Sequence, residues 1–192
     1  MRTSRSALLV VALASSVALA ACSPLPFPLR PQPQPQSESV TEEQPDDVAV
    51  EVAEVPERFL IVPDDYQAEY AGTAQDGRLF FIATPFVSGD DGNEFIATFF
   101  WNADGSYQSM DVDEFGARDT LDQAAWDASM QQHIDDLGDY TLGAISVAPF
   151  SAEAFGVEMG FVPQRYDGYI WISLLPGDYM AYTPPWDGLY DT

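Results

Sequence analysis

The chain has 192 residues with seven arginines, no lysine, one histidine, one cysteine and 31 acidic residues, a formal net charge of −24. This acidity excludes nucleic acid as a partner, because phosphate backbones are bound by clustered basic residues. The lack of lysine excludes a P-loop lysine and a Schiff base, and one histidine with one cysteine cannot form a zinc site built from several of these ligands.

The N-terminus has the layout of a secretory signal. Arg2 and Arg5 precede thirteen apolar or small residues, 7–19, which are followed by Ala20 and Ala21. This is the order of a charged region, an apolar region and a small-residue cleavage site. Thirteen residues are too few to cross about 30 Å of hydrocarbon as a helix. We therefore predict that residues 1–21 are a cleaved export signal.

The segment Leu19-Ala20-Ala21-Cys22 resembles the lipobox of bacterial lipoproteins. The resemblance implies cleavage before Cys22, attachment of a diacylglyceryl group to its thiol and acylation of the new amino group. Two or three acyl chains hold a protein on a bilayer stably, whereas one chain is marginal. We expect an exported protein that is lipid-anchored to the cell membrane or outer membrane, with its domain facing the periplasm or exterior. An ordinary signal followed by an incidental cysteine is the alternative.

Residues 22–57 are predicted to be the lipidated cysteine plus a disordered linker. Eight prolines lie between Ser23 and Glu57, including an alternating Pro-Gln run at 31–36, and acidic residues follow. Such composition favours extended, self-repelling chain. After Cys22 five arginines stand against 31 acids, a charge of about −26, so the lipid is expected to be the only membrane contact. A cation or a basic protein is a possible partner, and a simply solvated surface is the alternative.

Residues 58–192 are predicted to form a single α+β domain with a mostly antiparallel sheet. Apolar and aromatic runs bounded by turn residues predict its strands. The predicted strands are 58–63, 66–73, 79–84, 94–101, 106–112, 142–147, 157–162, 169–175 and 179–182. Asp104-Gly105 between two of these runs predicts a hairpin.

One main helix is predicted over about 120–137, packed on one face of the sheet. Thr120 and Gln123 have the spacing of a capping box, and Gly138 marks the end. Four apolar residues recur at helical spacing and predict the packed stripe: Trp126, Met130, Ile134 and Leu137. His133 is assigned to the flank of this helix, because no nucleophile motif accompanies it. A helical turn is predicted over 151–155.

The C-terminal residues supply the candidate binding surface. Pro184-Pro185 is expected to stop sheet pairing, so that the following residues fold back over an edge or cleft. The possible binding surface consists of Tyr179, Trp186, Asp187 and Tyr190. Aromatic side chains of this size are enriched at binding hot spots, and Asp187 could orient a cationic ligand. Plain covering of a sheet edge is the alternative.

No catalytic residue, metal site or cofactor is assigned. The acidic clusters at 90–94 and 102–105 offer oxygen ligands, but they lack the spacing of an EF-hand loop. Carboxylate-only catalysis needs two acids close together in a cleft, and spacing along the chain cannot identify such a pair.

Three proline-containing runs carry a second resemblance: 84–87, 148–150 with 155–157, and 176–181 with 184–187. They look like a small uncharacterised bacterial domain whose relatives are sometimes labelled formate-hydrogenlyase regulatory proteins. The resemblance implies the domain boundary near residue 58 and names no catalytic residue.

The sequence favours a membrane-anchored, non-enzymatic binding or envelope-associated module, because anchoring is specified and catalysis is not. A carboxylate-dependent envelope hydrolase and a purely structural spacer lipoprotein are the alternatives. The oligomeric state is left open.

Overall fold

A computed structural model of the chain describes residues 54–89 and 92–192. The predicted signal at 1–21, the lipid-attachment residue Cys22 and the linker up to residue 53 lie outside these described residues. Within them, no helix combines the length and apolar character that crossing a bilayer requires.

The described residues form twelve strands and one α-helix. The strands are β1 Phe59–Ile61, β2 Tyr70–Thr73, β3 Leu79–Ala83, β4 Glu94–Trp101, β5 Tyr107–Phe115, β6 Thr141–Leu142, β7 Ile145–Val147, β8 Ala152–Ala154, β9 Val157–Tyr166, β10 Tyr169–Leu175, β11 Ala181–Tyr182 and β12 Tyr190–Asp191. The helix α1 covers Gln123–Asp135, and a short 3-10 helix, Arg118–Thr120, precedes it. The predicted α+β class is confirmed, with one α-helix beside antiparallel strands.

The strands form three sheets, whereas the prediction had one main sheet. The first sheet has the order β5-β4-β3-β2-β6, the second has the order β12-β11-β10-β9-β8, and β1 pairs with β7 alone. Every strand pair among the described residues is antiparallel. The predicted hairpin is confirmed, because β4 and β5 pair across the turn at 102–106.

The main core lies between the first and second sheets. Phe81 and Phe99 from the first sheet contact Phe161 from the second, with ring centroids 5.5 and 6.1 Å apart. Phe59 of β1 joins the same cluster at 5.1 Å from the Phe161 ring. Each buried aromatic or aliphatic side chain of this kind stabilises the fold by about 1.5–3 kcal/mol. The aromatic runs that predicted the strands therefore also build the contact between the sheets.

A smaller core lies on the other face of the first sheet, under α1. It contains Phe80, Ile82, Ile96 and Phe100 from the sheet and Leu137 from the turn after the helix. The predicted stripe packs against it, because Trp126, Met130 and Ile134 all contact this cluster. The helix thus covers the first sheet as predicted, and β4 is buried along its whole length between two cores.

The predicted capping box is wrong. The helix begins at Gln123, and the side chain of Asp122 accepts hydrogen bonds from the backbone N–H groups of Ala124 and Ala125 at 3.0 and 3.2 Å. Thr120 instead ends the 3-10 helix, where its hydroxyl donates to the carbonyl of Ala117. Asp122 is a cap as good as threonine, and it lies two residues closer to the apolar stripe.

Four further predictions differ from the structure. Residues 151–155 contain strand β8 and not a helical turn, because Ala152 and Ala154 pack on the main core while pairing with β9. The predicted strand 142–147 is two strands, β6 and β7, in different sheets. The strands predicted at 66–73 and 179–182 begin later, at Tyr70 and Ala181. Pairing does stop before Pro184-Pro185 as predicted, since β11 ends at Tyr182, and it resumes beyond them where β12 pairs with β11.

Candidate functional site

The tail, residues 184–192, folds back onto β1 and the segment that follows it. The hydroxyl of Tyr190 donates a hydrogen bond to Oδ2 of Asp64 and accepts one from the backbone N–H of Gln67 at 3.3 Å. The backbone N–H of Leu60 donates to the carbonyl of Trp186 at 3.1 Å. The tail is therefore fixed at two points, and the prediction that it folds back is confirmed.

Asp64 is held as an anion by its hydrogen bonds. Its Oδ1 accepts from the backbone N–H groups of Tyr66 and Ala68 at 2.9 and 3.0 Å, while Oδ2 accepts from Tyr190. Desolvation by burial opposes ionisation, but the hydrogen bonds from Tyr190, Ala68 and Tyr66 outweigh it, so the pKa of Asp64 is lowered. Burial, with the bond to Asp64, raises the pKa of Tyr190 to about 12. The pair is thus a neutral phenol bonded to a carboxylate over the ordinary pH range.

A cavity of about 510 Å³ opens beside this pair, and we call it the tail groove. Its apolar and aromatic side chains include Val62, Tyr66 and Leu189, of which Tyr66 and Leu189 are 68% and 76% exposed. Its acidic side chains are Asp64 and Asp187. The groove is lined by Val62, Asp64, Tyr66, Asp187, Gly188, Leu189, Tyr190 and Thr192. An apolar surface with two carboxylates suits a cation that carries an apolar body.

The structure brings together two of the four predicted surface residues. Asp187 and Tyr190 both line the tail groove, and the Asp187 carboxylate also accepts the backbone N–H of Leu189 at 3.3 Å. Trp186 is half-buried against the main core and does not line the groove. Its φ of 68° lies in the left-handed region that bulky residues rarely adopt.

Tyr179 lies at a different place. Its ring stacks on Phe86 with centroids 5.8 Å apart and planes 21° apart, and its hydroxyl accepts the backbone N–H of Thr84 at 3.2 Å. Burial raises the pKa of Tyr179. The guanidinium of Arg118 lies 5.4 Å from the Phe86 ring and forms a two-point ion pair with Glu94. Because the neighbouring cation, Arg118, is already paired with Glu94, we interpret the stack of Tyr179 on Phe86 as a structural contact and not as an open binding position.

A second cavity, of about 640 Å³, lies on the other side of β12 from the tail groove. Tyr190 lines the tail groove and Asp191 lines the second cavity, since neighbouring side chains of a strand point to opposite sides. It is lined by Gly168, Tyr169, Ile170, Trp171, Ala181, Thr183, Pro184 and Asp191. The Trp171 indole N–H is used within β10, where it donates to the Ser173 hydroxyl at 3.0 Å.

His133 is buried, and its assignment to the helix flank is wrong. Its Nδ1 lies 2.7 Å from the Thr98 hydroxyl, and its Nε2 lies 3.6 Å from Oδ2 of Asp113, which also accepts the Ser129 hydroxyl. The set looks like a threonine-histidine-aspartate triad, but the Thr98 residue is only 1% exposed, so a substrate has no access to its hydroxyl. The arrangement joins α1 to β4 through the buried Thr98–His133 contact and to β5 through the exposed carboxylate of Asp113.

Reasoning from the sequence missed Asp64, Tyr66 and Leu189. Asp64 has an ordinary turn sequence around it, and only the fold brings it to Tyr190. The burial of His133 could have been predicted from its spacing. It is seven residues from Trp126 and three from Met130, so it lies on the packed stripe of the helix.

The described residues contain no group of three or more histidine, cysteine or acidic side chains placed to hold a metal ion. The turn at 102–106 is instead closed on itself, because Asp104 accepts both the backbone N–H and the hydroxyl of Ser106. A hydrolase of the carboxylate type needs a general acid with a raised pKa. Asp64, the better buried acid of the tail groove, has its pKa moved the opposite way.

Comparison with known protein families, with curated proteins and with solved structures gives no match to this chain. The two resemblances drawn from the sequence therefore stay predictions.

Proposed function

We propose that the protein is an exported lipoprotein, anchored through Cys22, whose domain is a non-enzymatic module that binds a cationic group in the tail groove. The signal layout and the lipobox-like segment support the anchoring. The acidic linker, with like charges along it, supports a domain held at a distance from the membrane.

The observation that carries the binding proposal is the unpaired charge in the tail groove. Asp64 and Asp187 face an apolar and aromatic cavity, and neither forms an ion pair with a described residue. A partly desolvated carboxylate attracts a cation more strongly than an exposed one, because less water screens the charge. Tyr66 supplies an exposed ring on which a guanidinium or ammonium group can rest.

The groove volume of about 510 Å³ is that of a site for a small ligand or for one or two side chains. An arginine or lysine side chain of a basic protein has the required charge and an apolar stem. We therefore assign a basic protein segment as the ligand, with its cation between Asp64 and Asp187 and its apolar neighbours on Val62 and Leu189.

The binding test titrates the full-length protein with a tripeptide amide that has arginine between two leucines. A matched tripeptide with glutamate in place of arginine is the control. We expect only the arginine peptide to bind. Asp187→Asn should weaken its binding at least tenfold, whereas Asp139→Asn, at an exposed acid just before β6 that does not line the groove, should leave it unchanged. Equal binding of both peptides would contradict the proposal.

The anchoring test is membrane fractionation of cells that produce the Cys22→Ser variant. We expect the parent protein in the membrane fraction and the variant outside it, because the thiol is the attachment point. Membrane association that survives the substitution would show that the lipoprotein assignment is wrong.

A further inference from the structure

Strand β5 is the outer edge of the first sheet. It has nine residues and pairs with β4 on one side, and no strand among the described residues pairs with its other side. An edge strand presents a row of backbone N–H and C=O groups that can accept another strand. β5 is also long enough to bind an extended peptide of ordinary strand length.

The two faces of β5 have different chemistry. Asp111 and Asp113 pair with Thr98 and Ile96 on the helix-covered face, and both are exposed. Met110 and Val112 lie on the opposite face, where they are half-buried at the margin of the main core. A strand added beside β5 would continue both faces. Its alternate side chains would meet carboxylates on one side and apolar groups on the other.

The carboxylates of Asp111 and Asp113 determine which kind of strand can pair stably with β5. Like charges directly opposite each other on paired strands are destabilising and opposite charges are stabilising. A second copy of this chain would bring Asp111 and Asp113 against its own acidic residues, so self-pairing is disfavoured. Asp113 already accepts the Ser129 hydroxyl, whereas Asp111 has no side-chain partner among the described residues and offers its charge to a cation.

We propose that β5 is a docking edge for an extended segment of a partner protein in which basic and apolar residues alternate. The main-chain hydrogen bonds of the added strand supply affinity that does not depend on sequence. The pairing of its basic residues with Asp111 and Asp113, and of its apolar residues with Met110 and Val112, supplies specificity. This site is separate from the tail groove and does not depend on the function proposed for it.

The first test measures binding of a nine-residue peptide amide that alternates lysine and valine to the full-length protein. One control peptide has the same composition in an order that breaks the alternation, and another has glutamate in place of lysine. We expect the alternating peptide to bind at least tenfold more tightly than either control. Equal affinity for the alternating and scrambled peptides would overturn the proposal, because net charge alone would then explain binding.

The second test asks whether the backbone ladder forms. Two versions of the alternating peptide carry N-methyl groups, one on the odd and one on the even residues. In a strand only every second N–H faces the neighbouring strand, so we expect one version to lose at least tenfold in affinity and the other to keep most of it. Equal losses, or none in either version, would contradict docking by strand addition.

The third test locates the site. Asp111→Lys should reduce the affinity of the alternating peptide at least tenfold, and Asp139→Lys, which changes net charge equally at the far edge of the sheet, should change it less than twofold. Circular dichroism and thermal melting of both variants check the fold. The tests are repeated in the Asp187→Asn variant, whose tail groove is weakened, so that binding at β5 is distinguished from binding of the same basic peptide in the groove. The preference for the alternating peptide should persist there, and its loss would overturn the assignment to β5. Equal effects of Asp111→Lys and Asp139→Lys would overturn the assignment to β5.

Discussion

The hydroxyl group of Tyr190 donates a hydrogen bond to the carboxylate of Asp64, which lies 126 residues earlier in the chain. This bond closes the tail onto the segment after β1 and forms one wall of the tail groove. Tyr182 lies next to it, with ring centroids 5.5 Å apart, yet its buried hydroxyl has no hydrogen-bond partner among the described residues. Tyr190 and Tyr182 thus carry the same hydroxyl group, but among the described residues only that of Tyr190 has a hydrogen-bond partner.

We predict that Tyr190→Phe lowers the free energy of unfolding by about 1.5–3 kcal/mol, the range for a hydrogen bond to a charged group. Tyr182→Phe removes the same oxygen atom but breaks no bond to a described residue, so its stability should equal or exceed that of the parent. Urea unfolding of both variants makes the comparison. A larger loss in Tyr182→Phe than in Tyr190→Phe would contradict the assigned bond.

The same pair predicts how stability depends on pH. The pKa of Asp64 is lowered in the folded state, so its contribution is present above the unfolded pKa near 3.8 and is lost as the pH falls through the folded pKa. The pKa of Tyr190 is raised from 10.0 to about 12, so its contribution is present below pH 10 and is lost between pH 10 and 12. Tyr190→Phe should therefore flatten the alkaline decline in melting temperature over that window. An unchanged alkaline decline would show that other groups cause it.

The buried hydrogen bond between Thr98 and His133 should contribute to stability. Thr98→Val leaves the Nδ1 of a buried histidine without its partner and should lower the free energy of unfolding by about 1–3 kcal/mol. His133→Leu alone leaves the threonine hydroxyl unpaired and should also destabilise. The double variant should be more stable than the sum of the two losses predicts, because neither polar group then remains. Additive losses would mean that the two side chains do not interact.

Some of this fold could be predicted from local sequence. The aromatic runs predicted β3, β4 and β10 nearly in full. The apolar stripe from Trp126 to Leu137 was also predicted correctly, because a helix that packs on a sheet needs apolar residues at that spacing. The start of the helix was wrong because Thr120 and Asp122 are both good caps, and only the path of the chain chooses between them. β8 was missed because its two alanines have little strand propensity and are placed by packing on the main core.

The candidate site was harder to predict for a physical reason. Tyr190 and Asp187 stood out by residue type, but Asp64 and Tyr66 reach the groove only through pairing of β1 with β7 and docking of the tail. Contacts across 126 residues leave no trace in local composition. Tyr179 was grouped with the tail because it is close in sequence, whereas the turn before β11 carries its ring to Phe86.

The charge of the domain predicts its response to salt. Residues 58–192 contain 23 acids and four arginines. Two of these arginines, Arg78 and Arg118, form ion pairs with Asp76 and Glu94. The remaining excess of like charge should destabilise the folded state at low ionic strength and be screened over about 10 Å at 0.1 M salt. The melting temperature should rise between low and moderate salt, and a falling curve would contradict this account.

At Trp186 the backbone and the side chain have opposed effects on stability. The half-buried ring packs on the main core, so Trp186→Ala should lower the free energy of unfolding by about 2 kcal/mol, less than for a fully buried tryptophan. Its φ of 68° is strained for any residue with a Cβ but free for glycine. Trp186→Gly should therefore be about 1 kcal/mol more stable than Trp186→Ala, the reverse of the usual order.

The matched control is Tyr169, an exposed residue in β10 whose backbone φ is not positive. There Tyr169→Gly should be less stable than Tyr169→Ala, because glycine weakens a strand. Urea unfolding of the four variants measures both differences. If glycine is the less stable substitution at Trp186 as well, the backbone of the tail does not hold the left-handed conformation in solution, and the wall of the tail groove formed by Asp187 and Tyr190 has to be placed differently.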